Sequence, residues 1–425
     1  MRSARRLLYA LVAFAIPFSV HAEDWPSWRG PTGMGQSTAT GVPTSWGGKE
    51  RKNIVWKTPL YENDKVKRDQ NQSSPIVVGD RLFITLSFWP VGSKDKDFPE
   101  HHVICYRAGD GKKQWDVKVP PGPWLLSDFR GGYTVPTPAC DGKTLVVAFG
   151  SSVIAALELD GKIRWRKEIT PHAFDVCIGT SPILYKDMAL FLSDLSKGSK
   201  SSNLVAYDLA TGDIRYKAMR PESDWTHSTP VLAKVDGKTQ LLVADANGPQ
   251  GLDPDTGKKL WWYKSAPRVG DTTSPLYADG VVYCDSGRGG PGVAVEPTGT
   301  DAWPASKVKW KIGNVPEAFS SPVAVGKRMF RAVNPGVLTC WDLDDGKPLF
   351  RERAERLDAA VSPIATADGF VYFAGGGRSY VLKAESKLDI VSVNDLDDPS
   401  KACAAIAGNR LYVKGGRNLY CIGAK

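Results

Sequence analysis

From residue 53 onward, apolar residues come in short runs, each broken within a few positions by Gly, Pro, Asn or Asp. Typical runs are RLFITLS (Arg81 to Ser87), NLVAYDL (Asn203 to Leu209) and GVVYCDS (Gly280 to Ser286). They are rich in β-branched and aromatic side chains and bounded by turn residues, which is the pattern of strands. No stretch keeps a 3.6-residue period, so few helices are expected. The chain reads as all-β.

The runs repeat. Ser or Thr followed by Pro recurs at Ser74, Thr137, Ser181, Thr229, Ser274, Ser321 and Ser362. The intervals fall near the ~40–50 residues of a four-stranded propeller blade. A second marker keeps step: a Gly preceded by Asp or Thr and followed four residues later by an aromatic. It links Gly111 to Trp115, Gly161 to Trp165, Gly212 to Tyr216, Gly257 to Trp261 and Gly346 to Phe350. Glycine suits a turn with positive φ, the preceding Asp or Thr can bond the turn backbone, and the aromatic can bury about 150–250 Å² against a neighbouring sheet.

Counting the units sets the architecture. Seven Pro-marked copies leave three strands of an eighth in ACAAIAGNRLYVKGGRNLYCIGAK, and NIVWKTPL (Asn53 to Leu60) supplies the fourth. The expected fold is an eight-bladed β-propeller of four-stranded antiparallel blades, its ring closed by pairing the N-terminal strand with the C-terminal blade, which removes the free sheet edges. Trp56, Trp115, Trp165, Tyr216, Trp261, Trp310 and Phe350 are the expected blade-docking aromatics. The seventh copy, SKLDIVSV, lacks both Gly and aromatic, and the fifth is stretched between Pro297 and Trp310.

The first 22 residues read differently. Arg2, Arg5 and Arg6 precede an apolar run from Leu7 to Val20, with small residues at Val20 and Ala22. This is a secretory signal with cleavage near Ala22, and its run is too short to span a bilayer. The expected division is a signal peptide (1–22), an extended arm (23–52) carrying Trp25, Trp28 and Trp46 among Gly and Pro, and the propeller (53–425). The mature chain is expected to be exported, periplasmic or extracellular, soluble and without a transmembrane segment. Loss of the three arginines lowers the formal charge from +9 to +6. No lysine or arginine run is present, which disfavours nucleic acid.

The seven cysteines include no CxxC and no CxxCH, which argues against a cysteine zinc site, thiol redox chemistry and covalent haem. Cys105, Cys340 and Cys421 sit in apolar runs and read as buried thiols, with one or two disulfides left open.

The units, with SP opening the inner strand and AYDLATGDIRY (Ala206 to Tyr216) and GLDPDTGKKLWW (Gly251 to Trp262) closing the blade, resemble the pyrroloquinoline-quinone (PQQ) repeat. The resemblance covers essentially all of residues 53 to 425. DWPSWRGPTGMG (Asp24 to Gly35) looks like the leader of exported PQQ-repeat propellers common in planctomycete-type bacteria. Two branches share the repeat: quinoprotein alcohol and glucose dehydrogenases, and the BamB-like propellers that scaffold outer-membrane protein assembly. The large dehydrogenases carry an adjacent Cys-Cys pair and longer cofactor loops, both lacking here, and the BamB-like lipoproteins carry a lipid-accepting Cys that is also lacking. Fold does not settle function.

Motif chemistry is sparse. GRGGPG (Gly287 to Gly292) contains Pro291 and links strands, so it offers no helix N-terminus to a phosphate. DLDDG (Asp342 to Gly346) lies on the repeating turn and lacks calcium-loop spacing. HExxH, GxSxG and Walker motifs are absent. The blade template places His101, His102, His172 and His227 in loops at one end of the ring. The same loops supply the candidate ligand-binding residues Asn71, Arg130, Tyr133, Asp175, Asp224, Trp225, Arg268, Asp271, Arg288 and Arg378, with Asn71, Tyr133, His227 and Asp271 nearest the channel. Two long connections, between Ser87 and His102 and from Pro120 to Tyr133, stand out, the second bringing Trp124, Leu125, Leu126 and Phe129 together. The expected function is a non-catalytic binding or scaffold module that takes an envelope protein, a small molecule or a polysaccharide on this funnel face. The alternative is an oxidoreductase of the quinoprotein type, using PQQ and calcium to oxidise alcohols or sugars.

Overall fold

The computed structural model describes residues 23–94, 96–127, 130–171, 178–195, 200–223, 226–263, 272–297 and 307–424. Eight antiparallel sheets stand around a central axis as an eight-bladed β-propeller, with no α-helix among the described residues. Blade 1 runs from its inner strand Ile76–Val78 through Arg81–Trp89 and Glu100–Arg107 to its outer strand Lys113–Val119, and Lys67–Arg68 prolongs the inner edge by pairing with Phe88 and Trp89. Blade 8 combines Ala405–Ala407, Arg410–Lys414 and Asn418–Ile422 with Ile54–Pro59 from the other end of the chain. In that closure Ile54 pairs with Ile422 and Pro59 with Asn418.

Burial explains the apolar pattern. The middle strands are covered on both faces by neighbouring blades, so Thr144–Phe149 and Met188–Ser193 are buried throughout. The outer strands are half-solvated and alternate, as in Lys113–Val119.

The glycine–aromatic marker is a contact between blades. The indole N–H of Trp56 donates to the carbonyl of Ala108 at 2.9 Å, Trp115 to Leu159 at 3.0 Å, Trp165 to Leu209 at 3.0 Å and Trp310 to Leu343 at 2.7 Å. The Tyr216 hydroxyl donates to Pro254 at 2.9 Å. Each acceptor lies in the glycine turn of the next blade. A Cβ on Gly111 would stand 2.6 Å from the ring of Trp56, and one on Gly346 2.5 Å from that of Trp310. The glycine is therefore required twice, by its positive φ and by the ring lying on it. Trp261 is fully buried in a cluster shared by blades 4 and 5, but its N–H turns back to Gln240 Oε1 at 2.7 Å. Phe350 packs half-buried on the cluster shared by blades 6 and 7.

The Ser/Thr–Pro marker is a second ring. The backbone N–H of Ser74 donates to Thr137 Oγ1, Thr137 to Ser181, Ser181 to Thr229, Ser274 to Ser321 and Ser321 to Ser362, all at 2.9–3.0 Å. Cys403 fills the eighth place: its Sγ accepts from Ser362 N at 3.2 Å, and its own N–H donates to Ser74 Oγ at 3.0 Å. At the remaining junction, blade 4 to blade 5, Ser274 Oγ accepts instead from the indole of Trp28 at 3.2 Å.

Trp28 belongs to the arm, which enters the channel from the end of the glycine turns. Trp25 exchanges backbone bonds with Val77, and Pro26 accepts from Cys140 N. Arg29, 1% exposed, donates from Nη2 to the carbonyls of Met34, Pro322 and Pro363. Burial lowers its pKa to about 10, so it stays charged at neutral pH. Beyond Gln36 the arm pairs along blade 7, where Trp46 stacks on Tyr372 and Thr44 accepts from Asn394. It thus joins inner strands far apart in sequence and leads into the closing strand of blade 8. Residues 1–22, the expected signal, lie outside the described residues.

Candidate functional site

Above the hydroxyl ring, the connections between blades rim a funnel of about 440 Å³, within the usual size of ligand pockets. Its floor is Trp28, and its walls include Ser181, Thr229 and Ser274 of the ring. Gln70 and Gln72 come from the approach to blade 1, Arg130 and Val135 from the link between blades 1 and 2, His227 from the link between blades 3 and 4, and Arg288 from blade 5. Phe319, Ala360 and Lys401 come from the next three links.

Three of the sequence candidates, Arg130, His227 and Arg288, line this funnel. His227 packs on Gly179, where a Cβ would stand 2.6 Å from the His227 Cβ. The Arg288 guanidinium lies 5.8 Å from the centre of the Phe319 ring, a cation–π distance. Asn71 and Tyr133 sit beneath the surface. Asn71 Nδ2 donates to Tyr61 Oη at 2.8 Å and to the Ser87 carbonyl at 3.0 Å, while its Oδ1 accepts from Ser87 N and Thr134 Oγ1. Tyr133 is fully buried, its N–H on Asp69 and its hydroxyl accepting from Leu126 N. Both fasten the connection between blades 1 and 2. Arg378 lies outside the funnel lining, 3.5 Å from both Glu355 and Asp395. Asp175, Asp224, Trp225, Arg268, Asp271 and His172 lie outside the described residues.

His101 and His102 differ from the expected loop placement: they fall in the strand Glu100–Arg107. The ladder of Arg81–Trp89 extends far enough to pair Leu86 with His102 and Ser87 with His101. His101 is sandwiched against Phe149, its ring nitrogens 2.9 Å from Ser87 Oγ and 2.8 Å from Ser151 Oγ, and burial pushes its pKa down to about 3. His102 stacks on Phe88 and meets Asp116 at 2.6 Å. Of the long second connection, Leu126 packs with Trp89 and Tyr133, with Trp124 beside them, while Leu125 is exposed. Phe129 lies outside the described residues. The six described cysteines are buried free thiols.

The sequence reading missed Trp28 as the floor, Gln70 and Gln72, Phe319 and Lys401. For Gln70, Gln72 and Phe319 a signal was present, since they stand within four residues before a Ser/Thr–Pro pair. Lys401, two residues before Cys403, was hidden because blade 8 opens without the pair.

A buried lysine stands close behind the wall. Lys414 Nζ donates to Ser73 Oγ at 2.9 Å, and burial lowers its pKa to about 7 against the opposing pull of Asp69. Asp69 is itself raised to about 6 by burial. Between pH 7 and the ordinary lysine value of 10.5 the unfolded chain holds a proton that the folded one has released, so stability rises with pH across that window. Asp69 acts at lower pH, its contribution being lost as pH rises from 3.8 through 6. Lys414→Met should remove the alkaline rise, about 2–4 kcal/mol between pH 7 and 10, read from urea midpoints.

The repeat and the ring make the molecule an eight-bladed β-propeller. The family model described as outer membrane protein assembly factor BamB matches residues 99–295. Among solved structures, BamB from Moraxella catarrhalis is similar at 14% identity, covering 87% of this chain and 98% of that one, with a TM-score of 0.59. Quinohemoprotein alcohol dehydrogenase from Comamonas testosteroni is similar at 12% identity, covering 95% and 81%, with a TM-score of 0.65. A europium-containing methanol dehydrogenase, at 12% identity, covers 95% and 98% with a TM-score of 0.56. These likenesses establish the fold. No curated protein sequence matches the chain. Among the described residues no helix is long and apolar enough to cross a membrane.

The fit to PQQ and calcium divides. Arg130, Arg288 and Lys401 suit the carboxylates of a quinone, whereas no carboxylate stands among the described lining residues to hold calcium. Among the described residues no three His, Cys, Asp or Glu side chains cluster as a metal site.

Proposed function

We propose that the protein is an exported, non-catalytic binding module that holds its partner in the funnel. The observation that carries this reading is the lining: guanidinium, ammonium and aromatic groups on a ring of blades, with no carboxylate among the described lining residues to serve calcium-assisted oxidation. The likeness to an outer-membrane assembly factor supports the envelope as its setting. The quinoprotein reading predicts a different result in one assay. Purified protein incubated with PQQ and calcium should give no dye-linked oxidation of ethanol or glucose above the protein-free blank. Steady turnover, lost when calcium is chelated, would overturn the binding-module reading.

A further inference from the structure

We propose that the funnel takes an acidic peptide segment of a partner protein, with one aromatic side chain seated on Trp28. This rests on the funnel being the binding site. Three permanent cations among the described lining residues stand apart around the rim: Arg130 between blades 1 and 2, Arg288 on blade 5 and Lys401 between blades 7 and 8. A compact monovalent acid could engage one of them. Engaging all three takes a ligand whose negative groups radiate from a central body, which a peptide with acids on either side of an aromatic provides.

The centre suits the body. Trp28 is fixed by its bond to Ser274, and Phe319 is 41% exposed, so an apolar surface faces the opening at the bottom of a cationic rim. An aromatic anchor in a pocket, enclosed by polar groups, is the arrangement that concentrates binding energy at protein interfaces. The rim adds the amides of Gln70 and Gln72 and the hydroxyl of Thr272, groups that can bond a peptide backbone. Opposite charge across the contact also steers encounter and makes it salt-sensitive.

The probe is a fluorescein-labelled peptide of sequence Asp-Glu-Trp-Asp-Glu, followed by fluorescence anisotropy with the full-length mature protein. Binding should weaken about tenfold when Ala replaces the central Trp, and by more than tenfold when Lys replaces the four acids. It should also weaken steeply from about 20 to about 200 mM salt. Lys401→Glu, at an exposed position, should lower affinity with the fold intact, and adding Arg288→Glu should abolish binding. Equal binding of the acidic and basic peptides, or binding unchanged by the double variant, would overturn the proposal. Benzenehexacarboxylate, a small aromatic polyanion, separates the two levels of inference. If it binds in a manner sensitive to the same substitutions while the acidic peptide does not, the peptide proposal fails and the binding-module reading stands. If neither binds and the oxidation assay turns over, both fail.

Discussion

Gly346→Ala should cost about 3 kcal/mol, seen as a large drop in the urea midpoint. Two terms add. Gly346 has φ +71°, where an L side chain is strained by about 1 kcal/mol or more, and its new Cβ would stand 2.5 Å from Trp310 Cε3 and 2.8 Å from Cδ2. Trp310 cannot retreat without losing its 2.7 Å bond to the Leu343 carbonyl, and overpacking of this kind costs about 1–3 kcal/mol. Gly326→Ala separates the terms. That glycine has φ +55° and nothing within 4 Å of the added Cβ, so only the backbone term, about 1 kcal/mol, should appear. Equal losses in the two variants would show that the aromatic does not bear on the glycine turn.

This contact also shows how far the sequence could be read. Gly and aromatic recur at a fixed offset within each unit, so periodicity reveals the marker and with it the blade count. The physical partner of each glycine, however, is the aromatic of the preceding blade: Trp56 for Gly111, Trp310 for Gly346. A repeat cannot distinguish the two arrangements, because every unit has a neighbour of the same design. The Ser/Thr–Pro marker behaves alike. It counts blades by spacing, but its hydroxyl serves the backbone of the previous blade, and Cys403 takes that place 41 residues after Ser362 at the same bond to the ring.

The funnel was legible by face and less so by side chain. A blade template fixes which loops approach the axis. It does not fix whether a polar side chain there turns toward solvent or back into the connection. Asn71 turns back because its amide satisfies Tyr61, Ser87 and Thr134 at once, and Tyr133 because Trp89, Phe98 and His101 surround its ring. Trp28 was hidden for another reason. Its destination is set by Ser274, 246 residues away, and no local pattern in a Gly- and Pro-rich arm encodes that distance.

The largest electrostatic effect should come from Arg220. It follows the outer strand of blade 3, and its guanidinium meets Asp194 of the same blade at 2.8 and 2.9 Å, Asp245 of blade 4 at 2.8 Å and Gln250 at 3.1 Å. Both carboxylates are buried, and burial pushes Asp194 up to about 6 even with the guanidinium beside it. Arg220→Met would leave two like charges in the seam between blades, so about 3–5 kcal/mol should be lost at pH 7. The loss should shrink as pH falls toward 5. Without the cation the buried Asp194 carboxyl binds its proton still more readily than in the unfolded chain, so protonation favours the folded state and stability rises as pH is lowered. Replacing the set with Asp194→Asn, Arg220→Gln and Asp245→Asn keeps polar shape without net charge and should recover much of the loss at pH 7. An equal deficit for Arg220→Met at pH 7 and pH 5 would mean that the side chain acts by packing rather than by neutralising the two acids.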